Sequence, residues 1–213
     1  MGQRLEKLIS VGSPSMSAGA VGFATGQLPP LLAPLFERKN GFYAFESALL
    51  VRPSGAPVGG VLDIASWNAR HDWTGIYGDH LNGVVLFAED LFGGQFGVTR
   101  DGVVSFNPES GEVEPLAATI EEWAARLLGD FEVMTGHPLA HEWQTRYRPL
   151  EPGERLFPVV PFVLGGDFTV DNVRPAADVQ GMRFYAELFR ATSQVPDGGQ
   201  VRVDLAGLAR ILN

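Results

Sequence analysis

The order of apolar runs, turn signals and capped amphipathic segments predicts an α+β fold, a single domain with a mostly antiparallel central sheet and flanking helices. Three observations lead there. Short apolar runs between residues 84 and 116 are separated by tight-turn residues and read as a meander. Helical stripes follow at 119–129 and 176–192. The chain shows no sequence repeat and no recurring βαβ unit, so a parallel sheet is not indicated.

Residues 10–27 contain four Ser and four Gly, a composition costly to order, so residues 1–27 are expected to be a flexible or irregular lead-in to a domain spanning 28–213. Residues 28–41 carry Pro near the start, Arg38 and Lys39 near the end and then Asn40-Gly41, the pattern of a short helix and its stop. Pro34 lacks an amide donor, so regular helix is expected to begin only there. Ala48-Leu49-Leu50-Val51 reads as a strand closed by Arg52-Pro53. Asp63 is placed to cap a helix bearing Ile64 and Trp67, and residues 72–79 read as an ordered, aromatic-bearing connection.

Val84-Val85-Leu86-Phe87-Ala88 is a continuous apolar run, suited to a central strand covered on both faces. Gln95-Phe96-Gly97-Val98 and Val103-Val104-Ser105-Phe106 flank Asp101-Gly102, a pair that accepts the positive φ of a hairpin. Residues 112–116 follow a second turn, and Pro115 confines them to an edge. Thr119 and Glu122 form a capping box. Pro138 opens a helix to Tyr147, and two strands are expected at 157–164 and 168–173, although Pro158 and Pro161 argue against a regular ladder in the first. Met182, Tyr185, Leu188 and Phe189 mark the core stripe of the helix over 176–192. A turn at 197–199, a strand at 201–204 and a last helix at 205–212 complete the series.

The 213 residues include 16 basic and 25 acidic side chains, a net charge of -9. A polyanion meets repulsion from such a surface, so nucleic acid is not the expected ligand. Ten acidic and three basic side chains fall within residues 109–154; exposed acidity of this kind attracts a basic protein, or simply solvates helix faces. With no Cys, disulfides, Cys-ligated metal and thiol nucleophiles are excluded. No run reaches the length of a bilayer span and the N-terminus lacks a signal-like apolar core, so no membrane association is expected, and the absence of Cys is compatible with the cytoplasm.

Catalytic templates find no match. There is no G-x-S-x-G elbow, and Gly93-Gly94 and Gly165-Gly166 open no nucleotide loop. His137 and His141 stand four apart, but the residue before Pro138 is pushed from helical angles, so the rings need not share a face. His71-Asp72 and Asp79-His80 are neighbours in sequence that need not face each other. Glu89 and Asp90, at the end of the apolar strand, are where burial raises a carboxyl pKa and makes an acid or base; Asp167 and Asp171 are a looser acidic pair. No catalytic residue, metal or cofactor is expected.

Leu28-Pro29, the short helix to Asn40-Gly41, and Val84-Val85-Leu86-Phe87-Ala88-Glu89-Asp90-Leu91-Phe92-Gly93-Gly94-Gln95-Phe96-Gly97-Val98 with its Asp101-Gly102 turn resemble the SUKH superfamily, over about residues 28–120. Pro161-Phe162-Val163-Leu164-Gly165-Gly166, Thr169-Val170-Asp171-Asn172 and the helix after Ala176 resemble an extended bacterial branch. The superfamily includes fungal cell-wall-assembly regulators and many bacterial immunity proteins. The resemblance implies a non-catalytic, cytoplasmic domain that binds and neutralises a cognate polymorphic toxin; a regulatory scaffold is the alternative, and a hydrolase using Glu89 or Asp90 with a histidine a third. On the toxin reading, Trp73 and Tyr77 are expected to anchor the partner, if they are not packed in the core, and Glu109, Glu112 and Glu114 to steer it.

Overall fold

The computed structural model describes residues 2–18, 28–69, 72–193 and 204–212. Helices α1 Gln3–Val11 and α2 Ala33–Phe36 precede the first strands, β1 Phe42–Ala44 and β2 Leu49–Val51, and α3 Ile64–Trp67 follows them. Then come β3 Val85–Glu89, β4 Gln95–Val98, β5 Val103–Phe106 and β6 Val113–Ala117. Helices α4 Ile120–Gly129, α5 Phe131–Thr135 and α6 His137–Arg146 follow, then β7 Glu154–Pro158, β8 Val173–Ala177, α7 Asp178–Thr192 and α8 Leu205–Ala209. Strands β1 to β6 form one antiparallel sheet in sequence order, and β7 and β8 a second, two-stranded one. The α+β reading holds.

Local chemistry explains most boundaries. The carboxylate of Asp63 accepts from Ser66 N at the start of α3. Thr119 Oγ1 accepts from Glu122 N, while Glu122 reaches one residue beyond the expected cap amide, to Ala118 N at 2.9 Å. Gly102 holds φ at +150° in the β4–β5 turn, where an added Cβ would meet Ala117 O at 2.4 Å. Pro34 sits in the first turn of α2, after a 3-10 turn over Pro30–Leu32, so the missing amide costs nothing there. β6 is an edge strand, as Pro115 requires.

The sheet is covered on both faces. One core joins Leu5, Leu8, Phe36, Phe87 and Trp123; the other joins Trp67, Tyr77, Leu86, Phe106 and Tyr185. Phe87 and Leu86, adjacent on β3, thus serve opposite cores, which explains why that strand reads as an unbroken apolar run.

Three expectations are corrected. The packed domain does not begin near Leu28: Leu5 and Leu8 of α1 are buried, and Glu121 of α4 accepts from Arg4 N and Leu5 N at 2.9 and 3.0 Å. A carboxylate at a helix N-terminus satisfies open amides and complements the dipole. Ser13 N and Met16 N then bond Tyr43 O and Gly41 O, covering the edge of β1. Second, the strands expected at 157–164 and 168–173 lie at β7 and β8 instead, because Pro158 ends the first and Pro161 opens a 3-10 turn over Phe162–Leu164. Third, His137 and Pro138 both belong to α6, with Pro138 in its first turn, where it does no harm. The turn at 197–199 and the strand at 201–204 lie outside the described residues except Asp204, which caps α8.

Candidate functional site

Three layers build the site, beginning with a buried ion cluster. Arg52 at the end of β2 and Arg155 on β7 both contact Glu89, the last residue of β3, at 2.8 and 2.9 Å; Arg52 also reaches Asp178 at the start of α7, at 2.9 Å. Arg52, Glu89 and Arg155 have no exposed side-chain surface. Arg52 further stacks on Trp67, with Cζ 3.2 Å from the ring centroid. Burial opposes ionisation of Glu89, but the two guanidinium groups and a hydrogen bond from Gln95 outweigh it and hold its carboxyl below the usual range. Burial shifts Asp178 the other way, upward.

Gln95 is the seam between this cluster and the second layer. Its Nε2 donates to Glu89 and to Gly93 O, its Oε1 accepts from Trp67, and it also lines an open cleft of about 610 Å³. The cleft lies over β4, β5 and β6, between the turns after β3 and β5, helix α5 and the loop 159–172. Asp90 stands on its wall. Asp90 Oδ1 accepts from Phe92 N and Gly94 N, both at 2.8 Å, and so shapes the turn into β4. Burial, reinforced by the charge of Glu89, pushes its carboxyl up to about 7 against the pull of those two amides.

The third layer is the rim. Phe162 and Phe168 stack with centroids 3.9 Å apart, and Phe92 meets both edge-on. Phe168 remains 66% exposed and Val133 of α5 77%, while Val160, Val163 and Leu164 of the same loop are also exposed. Large apolar side chains are grouped here rather than scattered, the pattern of an interaction surface.

The acidic residues named from sequence divide. Glu109, Glu112 and Glu114 all line the cleft. Glu109, however, is buried, its carboxylate accepting from Phe162 N at 3.1 Å and Val163 N at 2.6 Å. It is a latch that ties the aromatic loop to the turn after β5, and burial raises its pKa against those same amides. Glu112 and Glu114 are exposed. The acidity of 109–154 is not one patch: Glu121 and Glu122 are spent on helix caps, and Glu154 pairs with Arg148.

Trp73 and Tyr77 are corrected outright. They are 2% and 1% exposed and belong to an aromatic chain running from Trp67 through Trp73 and Tyr77 to Phe106. The 3-10 turn Trp73–Gly75 directs them into the core, so they cannot touch a partner. Tyr77 still serves the site from beneath, since its hydroxyl donates to Pro108 O at 2.7 Å and braces the turn that carries Glu109.

The described histidines have local protein partners. His137 and His141 do share a side, with rings 6.2 Å apart and Glu46 Oε2 3.8 and 2.8 Å away. Glu46 lies in a run of positive φ, 53°, 51° and 69° at Phe45, Glu46 and Ser47, costing roughly 1–2 kcal/mol per residue. Hydrogen bonds from Gln144 to Glu46 O and from Arg155 to Ser47 O hold that turn in place. His80 Nδ1 lies 3.0 Å from Gly111 O, and Asp72 pairs with Arg183; His71 is outside the described residues. Asp171 pairs with Arg146. Among the described residues no group of three or more His, Asp or Glu side chains is arranged to hold a metal ion.

No family model and no curated protein matches the chain. Among solved structures, the crystal structure of Atu4351 from Agrobacterium tumefaciens is similar. Its TM-score is 0.53 over 95% of this chain and 97% of that one, at 14% identity. The likeness is one of fold. No helix among the described residues is long and apolar enough to cross a membrane.

Proposed function

We propose that this chain is a non-catalytic protein-binding domain of the SUKH immunity type, acting in the cytoplasm, whose cleft docks a basic toxin domain. One observation carries the reading: a cleft whose charged side chains are all carboxylates opens beside a cluster of exposed apolar residues. Apolar anchors supply affinity at such a surface, and the carboxylates speed encounter and select a cationic partner. The surface residues concerned are Phe168, Val133, Glu112 and Glu114, in place of Trp73 and Tyr77.

Acid–base chemistry has Asp90 in its favour. A hydrolase would pair it or Glu89 with a histidine, but no histidine lines the cleft among the described residues, and Glu89 is engaged by two arginines.

The test is titration of the purified protein against the basic C-terminal domain of a toxin encoded beside it. A complex is expected whose association slows with added salt. Absence of a complex at micromolar concentrations overturns the proposal.

A further inference from the structure

If the cleft is a docking site, as proposed above, its lining specifies more than a basic partner. Some of its acceptors are unspent, although Glu109 and Glu112 are engaged. The exposed carboxylate of Glu114 makes no hydrogen bond or ion pair among the described residues, and Asp90 takes both amide donors on Oδ1, leaving Oδ2 unengaged beside Gly94. Independently, Tyr185 of α7 is 1% exposed, lines the cleft, and its hydroxyl has no hydrogen-bond partner among the described residues. No lysine, arginine or histidine of the described chain lines the cavity. Beside these acceptors stands a flat aromatic surface, the stacked pair of Phe162 and Phe168.

We propose that the cleft is the receptor for a single arginine side chain of the protein partner. The unengaged Oδ2 of Asp90 and the hydroxyl of Tyr185, close enough to feel its charge, receive the guanidinium N–H groups, while its plane lies against the aromatic pair. Arginine fits this chemistry better than lysine: a planar fork matches several acceptors at once and stacks on rings, whereas an ammonium is a strongly hydrated point charge.

Capture is also linked to protons. The groups that face Asp90 are Glu89 from β3, Arg155 from β7 and Tyr185 from α7, with Glu112 and Glu114 elsewhere on the cleft lining. In the free protein Asp90 holds a proton up to about neutrality, and a guanidinium arriving beside it expels that proton. Affinity therefore rises as pH rises through 7, by about tenfold between pH 6 and pH 8 if the bound carboxyl stays ionised.

The experiment is an NMR titration of the full chain with the peptide acetyl-Gly-Arg-Gly-amide, with its lysine counterpart, and with the counterpart carrying citrulline, the neutral isostere. The arginine peptide should shift the amides of Gly94 and Phe168 saturably, bind several-fold tighter than the lysine peptide, and leave citrulline without effect. Asp90→Asn keeps the Oδ1 acceptor that shapes the turn; it should weaken binding about tenfold at pH 8 and flatten the pH profile. Equal binding of citrulline, lysine binding as tightly as arginine, shifts confined to another surface, or an intact pH profile in Asp90→Asn each overturns the proposal. If the peptides fail while the toxin domain still binds, only this inference falls. If the arginine peptide binds and no toxin domain does, the receptor stands without that partner.

Discussion

Glu89 and Asp90 are neighbours in the chain and opposites in chemistry. Glu89 is sealed from solvent, yet its carboxyl sits below the usual range because Arg52 and Arg155 flank it. Asp90 lines the cleft, and its carboxyl is pushed up to about 7, because burial outweighs its two amide donors and the more distant charge of Arg155, and no cation pairs with it directly among the described residues. Burial does not decide the charge of a carboxyl; the partners that come with burial do. One residue of the pair holds the protein together, and the other is left with an unmet electrostatic demand at an open surface.

The sharpest way to break this comparison is to remove a cation from the closed side. Arg155→Ala leaves Glu89 buried with half its compensation and should cost about 3–5 kcal/mol in denaturant unfolding, because the stranded charge outweighs the lost contact. A cost below about 1 kcal/mol would mean that the cluster does not hold Glu89 ionised. Next in size is Asp90→Asn, read as stability against pH. The folded-state pKa of Asp90 lies above its unfolded value, so its contribution is fully present below about pH 4 and is lost as pH rises through 7. The variant should lack that decline and exceed the parent by roughly 1–3 kcal/mol at pH 8, after allowance for partial solvent access, and by nothing near pH 4. Identical pH–stability curves would remove the distinction between the two carboxyls.

Glu109→Ala tests the latch that holds the aromatic loop over the open side. Losing two charge-assisted hydrogen bonds should cost about 1–3 kcal/mol and speed hydrogen exchange at Phe162 and Val163. Protection there that is unchanged would mean that Glu109 does not latch the loop. Smallest of all on stability is Glu112→Lys with Glu114→Lys, since both side chains are exposed; its effect should stay within about 0.5 kcal/mol.

These regions also differ in how far the sequence discloses them. Caps, turns and the apolar strand β3 are governed by neighbours in the chain, so Asp63, Thr119 and Asp101-Gly102 could be read directly. Helix α1 was hidden because its apolar face is short and its order depends on Glu121, more than a hundred residues away. The ion cluster joins positions 52, 89, 155 and 178, which only the folded chain brings together. A faint signal existed, since Arg52 closes one apolar run, Arg155 precedes another, and Glu89 ends a third. The candidate site was half legible. Glu112 and Glu114 stood out by charge, whereas Trp73 and Tyr77 failed because size alone does not tell an anchor from a core aromatic. Phe168, the exposed ring, alternates with Val170 as a strand residue would and gives no local sign of its exposure.

The central claim is that the cleft is a docking surface for a cationic protein, and calorimetric titration of a cognate basic toxin domain into the parent and the Glu112→Lys, Glu114→Lys double variant tests it most directly. A tight, salt-sensitive complex is expected for the parent, with affinity falling by about a hundredfold or more for the charge-reversed protein. Equal affinity for both proteins, with the fold intact by circular dichroism, would contradict it.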